Sequence, residues 1–275
     1  MLLAAALHAS WNALVKSSSD RLAMMCLVNL VPATAAIMAL FFLPPMDWAA
    51  VPFLLASTAL HLLNYVCMLG AYRAGDLSLV YPIARGSAPV LVALGAWLLA
   101  GESKTPLEIV GIAIVSLGIV SLAWRPGRLR WPSLRDDKAI LLALATGVCI
   151  AAYSIADGLG ARASGQVFTF IAWLFASVGS VMLAFTVWRR RDGLRTAFQA
   201  DLRSGLVGGV VAATAYTTVI WAMSVAPMAQ VVALRETSVL IAAGIGALLL
   251  KESFGTQRIA AAAVVVGGAA LLHLA

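Results

Sequence analysis

Charge is scarce in this sequence. Only 11% of its 275 residues are Asp, Glu, Lys or Arg, while 62% are hydrophobic, and the mean hydropathy is +0.96. A water-soluble domain carries roughly a quarter of its residues as charges and must present polar surface to solvent. This chain has too little polar material for that, whereas a bilayer can cover an apolar exterior. Long polar stretches are also missing, so no soluble domain fits between the apolar runs. Those runs are continuous and do not alternate, which excludes a transmembrane sheet.

Catalytic and metal-binding patterns are equally sparse. There are three histidines, His8, His61 and His273, widely separated in the chain. No HExxH, G-x-S-x-G or glycine-rich phosphate loop occurs. Cys26, Cys67 and Cys149 lie inside apolar segments without metal-ligand spacing, the setting of packing thiols. The chain therefore reads as a non-enzyme without cofactor or metal. The net charge of +7 does not indicate nucleic acid, because most of the basic residues fall in short loops between apolar runs. The opening MLLAAALHASWNALVK lacks a basic n-region, and His8, Trp11 and Asn12 interrupt it. It is expected to be a short first transmembrane helix and not a signal peptide.

A spanning helix needs about 20 apolar residues. Ten segments meet or approach this, at 2–16, 23–42, 50–71, 78–99, 107–124, 138–158, 167–188, 204–224, 229–250 and 257–274. Loops after odd-numbered segments carry thirteen Lys and Arg and loops after even-numbered ones carry four. The excess places the odd loops in the cytoplasm and both termini outside.

The two halves are related. Shifted by 150 residues, LVYPIARGSAPVLVALGAWLLAGES (79–103) lies on AQVVALRETSVLIAAGIGALLLKES (229–253), with Arg85 on Arg235 and Glu102-Ser103 on Glu252-Ser253. The register continues without a gap through Ile109 on Ile259 and Gly118 on Gly268, and a shift near 142 sets Trp11 on Tyr153. Each half holds five helices, an odd number, so the second must enter the membrane from the opposite side. The expected fold is an all-α membrane protein of ten transmembrane helices in two inverted-topology repeats. These are residues 1–124 and 138–275, joined by a basic linker at 125–137. Inverted repeats are the architecture of alternating access.

HASWNALVK (8–16), GDLSLVYPIARGSAPVLVALGAWLLAGE (75–102) and RETSVLIAAGIGALLLKE (235–252) resemble the EamA-type branch of the drug/metabolite transporter superfamily. The resemblance covers essentially the whole chain. It implies a carrier, often an exporter, of amino acids and other small metabolites. It also implies a central cavity where the halves meet, and a scaffold formed by the last helices of each half. A bacterial inner membrane is the expected location, with a monomer as the expected state.

Charged groups at bilayer depth cost about 2.5–3.5 kcal/mol on insertion scales, so those inside the spans mark candidate sites. Arg85 and Arg235 stand within segments four and nine, and Glu236 follows Arg235. The arginines could hold a substrate carboxylate, exchange salt bridges at a gate, or snorkel to the interface. Glu236, whose repeat counterpart is Gly86, could pair with Arg85 or bind a proton. Polar and aromatic stripes recur at helical spacing: His8, Trp11 and Asn12; His61, Asn64 and Tyr65; Tyr81 with Arg85; Tyr153 with Asp157; Tyr216 with Thr217. Each residue alone could be helix-to-helix glue, but stripes on independent helices favour a substrate cavity. Pro82 and Pro89 bracket Arg85 and are expected to bend segment four into a hinge. Segment nine lacks both prolines and should be straighter. Glu102 and Glu252 read as scaffold residues at span ends. His8, His61, Asp157 and Glu236 can titrate, which allows protons as a coupling partner. A channel, or an exporter of cationic or amphipathic drugs or nucleosides, remains the alternative.

Overall fold

The structure is a computed structural model that describes all residues except 19, 76, 124–133, 191–193, 242–255 and 275. Side chains of some helical residues, Asn12 among them, also lie outside the described set. The described residues are mostly helical, and no strand occurs among them. The helices are α1 (Leu2–Ser17), α2 (Arg21–Leu40), α3 (Val51–Ala74), α4 (Leu77–Ala100), α5 (Pro106–Ser121), α6 (Leu134–Ala163), α7 (Val167–Arg189), α8 (Leu194–Val225), α9 (Met228–Glu236) and α10 (Thr256–Leu274), with one 3-10 turn at Trp48–Ala50.

Six of the described helical stretches are long and apolar enough to cross a bilayer: Leu22–Leu40, Trp48–Ala74, Leu79–Ala100, Lys138–Ala163, Val167–Arg189 and Phe198–Val225. Pro106–Ser121 and Ile259–Leu274 are shorter apolar helices. Two helices outrun their apolar cores. α6 and α8 begin at Leu134 and Leu194, so parts of both basic loops are helical. Arg and Lys are good helix formers, and their charge does not end a helix as Gly or Pro would.

The chain forms two compact units, residues 1–58 with 157–225 and residues 59–156 with 226–275. Neither unit is one of the sequence repeats, because each takes helices from both. In the first unit α2 packs against α7 and α8, and α1 against α8. Close approach is made by glycines. Gly179 of α7 faces Ala33 and the Asn29 carbonyl, Gly205 faces Leu27, and Gly209 faces Val31. As α8 advances from 205 to 209, α2 advances from 27 to 31, so these helices run parallel. One end of the unit gathers Ser18, Asp20, Arg190 and Asp201. Asp20 caps α2 at the Ala23 N–H and forms an ion pair with Arg190, and Ser18 donates to Asp201 at 2.6 Å. The other end gathers the loops after α2 and α6, where Thr169 donates to the Pro44 carbonyl at 2.8 Å and the Asp47 N–H to the Ser164 carbonyl at 3.0 Å.

In the second unit α5 packs against both α4 and α10, and α4 against α9. Gly111 of α5 faces Leu272, and Gly118 faces Val265, so the partners descend as α5 ascends and the pair is antiparallel. Gly268 in turn faces Val115. The contacts Gly118–Val265 and Gly268–Val115 are exchanged by the same 150-residue offset that relates the halves in sequence.

The helices that carry the buried arginines differ in continuity. α4 continues through Pro82 and Pro89 to Ala100. Segment nine, expected to be straighter, stops at Glu236. Thr237 turns, with its N–H bonded to the Leu234 carbonyl at 3.3 Å, and the chain is helical again at 238–241. The Thr237 hydroxyl also donates to that carbonyl, at 2.6 Å. A Thr side chain competing for the local carbonyl tightens the turn without any proline.

Candidate functional site

The second unit holds a buried charge cluster. Arg85 on α4 is 6% exposed, and Arg235 and Glu236 at the end of α9 are 1% and 0% exposed. Adjacent helical residues point about 100° apart, yet Arg235 reaches Glu236. Its Nε and Nη2 donate to Oε1 at 3.1 and 2.9 Å. The helix ends between them and the tight turn, which leaves both side chains free to fold together. Arg85 meets the same carboxylate more loosely. Its Nη1 donates to Oε1 at 3.4 Å. Its Nε lies 3.0 Å from Oε2, close enough for an ion pair but without the alignment of a hydrogen bond. Its Nη2 donates to the Ser238 hydroxyl at 3.5 Å. The guanidinium carbon sits 5.5 Å from the centre of the Tyr81 ring, one helical turn back, in cation–π range.

Two guanidiniums thus share one carboxylate in a site almost closed to solvent. Charges this deep persist only when paired, and removing one partner of such a group costs about 3–5 kcal/mol. The same unit holds four more of the expected aromatic and polar residues. The His61 ring of α3 stacks on Tyr153 of α6, with centroids 4.0 Å apart and planes 19° from parallel. Asn64, one turn along α3 from His61, is buried, and its Oδ1 has no hydrogen-bond partner. Tyr65 is half-buried.

The first unit holds a different polar group. Asp157 of α6 is fully buried and accepts hydrogen bonds at its two oxygens from Ser57 of α3 and Tyr216 of α8. Phe175 packs tilted against Tyr216 at 6.4 Å. On α1 the Trp11 indole donates to His8 Nδ1 at 3.2 Å, and the two rings meet edge to face at 5.2 Å. Asn12 belongs to the same stripe, but its side chain lies outside the described residues. The sequence-derived set therefore divides. His61, Asn64, Tyr65, Tyr81, Arg85, Tyr153, Arg235 and Glu236 belong to the second unit, with Pro82 and Pro89 flanking Arg85; His8, Trp11, Asp157 and Tyr216 belong to the first.

Sequence reasoning passed over Ser57, Ser238 and Glu108. A lone serine in an apolar helix carries no spacing signal. Glu102 looked like a span-end residue, but both of its carboxylate oxygens accept from the backbone N–H of Met228.

Solved structures share the fold; a crystal structure among them matches with a TM-score of 0.73 at 17% identity, over 99% of this chain and 93% of the other. At that identity the likeness concerns the fold alone. A search of curated protein sequences gave no match. The model of the EamA-like transporter family matches residues 137–274, which is half of the chain and contains Tyr153, Asp157, Tyr216, Arg235 and Glu236. With several helices apolar enough to span a bilayer and a family model that matches half its length, the chain is a multi-pass membrane protein and belongs to the EamA-like transporter family.

Proposed function

We propose that this protein carries small carboxylate-bearing metabolites, amino acids foremost, across the bacterial inner membrane by alternating access, with export as the working direction. The observation that carries this reading is the uneven sharing of Glu236. Arg235 holds it at 2.9 and 3.1 Å, while the hydrogen bonds of Arg85 to Glu236 and Ser238 are long, at 3.4 and 3.5 Å. Arg85 can release these without stranding Glu236. A substrate carboxylate can then take the guanidinium in a bidentate pair, the strong geometry for Arg. Tyr81 and the His61–Tyr153 stack supply aromatic faces beside it, which suits an amphipathic solute. Two arginines to one carboxylate disfavour a cationic substrate.

The inverted repeat is supported by the antiparallel packing of α5 against α10 through exchanged contacts. Corresponding helices of two oppositely inserted halves must run in opposite directions. Reconstituted protein should show saturable counterflow of a labelled amino acid. Amino-acid amides, which lack the carboxylate charge, should not compete. Flux that never saturates would assign a channel instead.

A further inference from the structure

α9 starts without a cap of its own. The residue before it is Pro227, which offers no side-chain hydrogen bond, and the first N–H groups of a helix need outside partners. The Met228 N–H finds one in Glu102, whose Oε1 and Oε2 lie 3.2 and 3.1 Å away. Glu102 comes from the turn after α4. There Gly101 adopts φ +63°, and the Glu102 N–H reaches back to the Ala96 carbonyl at 3.2 Å. The left-handed glycine lets the chain fold back on α4 and fixes the backbone that presents the carboxylate. Lys104 Nζ holds the same carboxylate at 2.8 Å. Half a turn into α9, the Gln230 amide donates to Glu108 at 2.6 Å. Glu108 is itself locked in the capping box that Thr105 makes at the start of α5.

The first turn of α9 is therefore tied twice to the α4–α5 turn, while its last turn presents Glu236 to Arg85 of α4. The helix between these ties has nine residues, about 13 Å of rise. Sliding it by one turn, about 5.4 Å, would take Glu236 out of reach of Arg85. A carboxylate at a helix N-terminus also has favourable charge, but a cap from within α9 would supply that equally well. What Glu102 adds is a tether to another part of the chain.

We infer that Glu102 is a positioning residue that sets the register of α9, so that Glu236 arrives opposite Arg85. The inference is independent of which solute is carried, and its test uses none. The coupling of Arg85 to Glu236 is read in detergent-solubilised full-length protein as the non-additivity of Tm shifts for Arg85→Ala, Glu236→Gln and the double variant. This cycle is run in the natural background, in Glu102→Ala, and in Glu102→Ala with Pro227→Asp, which gives α9 a cap of its own. The expected result is clear non-additivity in the natural background and its loss in both Glu102→Ala backgrounds, even where Pro227→Asp recovers overall Tm. Non-additivity that survives Glu102→Ala, or that Pro227→Asp restores, would make Glu102 a helix cap and nothing more, and would overturn the inference. If Glu102→Ala does not fold, Glu102→Met keeps the length of the side chain and loses the acceptor for the Met228 N–H, and the coupling should fall there too; coupling unchanged in Glu102→Met would equally overturn it.

Discussion

At the scale of single residues, the buried polar groups explain themselves by their partners. Asp157 is sustained by two hydroxyl donors, Ser57 and Tyr216. Leu at this position would strand both, at about 1–3 kcal/mol for each donor left without an acceptor. Asn keeps one acceptor oxygen, and a hydroxyl can rotate to accept from its amide. Asp157→Leu should therefore lower thermal stability by about 2–4 kcal/mol and Asp157→Asn by about 1 kcal/mol, read as Tm in detergent. Equal stability of natural protein and the Leu variant would mean that these bonds contribute nothing. The tendency of bilayer-embedded charges to mark sites made Asp157, Arg85, Arg235 and Glu236 legible in the sequence. Which arginine holds Glu236 more tightly was not legible, because it depends on where α9 ends. That end is set by a threonine side chain and not by a proline.

At the scale of elements, glycine decides how closely helices approach. Gly267 and Gly268 are neighbours in α10 with opposite surroundings. A Cβ on Gly268 would fall 2.9 Å from the Val115 N and from two α5 side-chain methyl groups, while one on Gly267 meets nothing within 4 Å. Gly268→Ala should force α5 and α10 apart at a cost of about 1–3 kcal/mol. Gly267→Ala should be neutral or stabilising by up to about 1 kcal/mol, since Ala is the better helix former. Thermal unfolding of the two variants separates them, and a Gly268→Ala protein as stable as the natural one would contradict the packing described. The sequence offset already paired Gly118 with Gly268. It could not reveal that each faces the other's neighbouring valine, because an apolar helix gives no sign of which side meets lipid and which meets protein. The position of the helix break in segment nine carried no signal in the sequence. α4 is one helix through both prolines, and the interruption lies in segment nine at Thr237.

At the scale of the whole molecule, helix ends of like parity meet within each unit. In the first unit Ser18 and Asp20, after α1, and Arg190, after α7, cluster with Asp201 near the start of α8. In the second unit Gly75, after α3, meets Ala139 near the start of α6, while Glu102, after α4, meets Met228 at the start of α9. The same parity divides the basic residues thirteen to four in the sequence, and on that excess we propose that the odd turns face the cytoplasm and the termini the periplasm. A C-terminal reporter that fluoresces only in the cytoplasm should stay dark; a bright signal would reverse the orientation. The membrane class was legible because it rests on run length and charge placement. The two compact units were not, since each unites helices far apart in the chain and only tertiary packing selects them.

Counterflow in proteoliposomes, with natural protein set beside Arg85→Ala, tests the central claim most directly. The account predicts that labelled amino acid exchanges saturably through the natural protein and that Arg85→Ala loses the advantage of the acid over its amide. An Arg85→Ala protein that still saturates and still prefers the acid would show that the substrate carboxylate is bound elsewhere, and the account would fail.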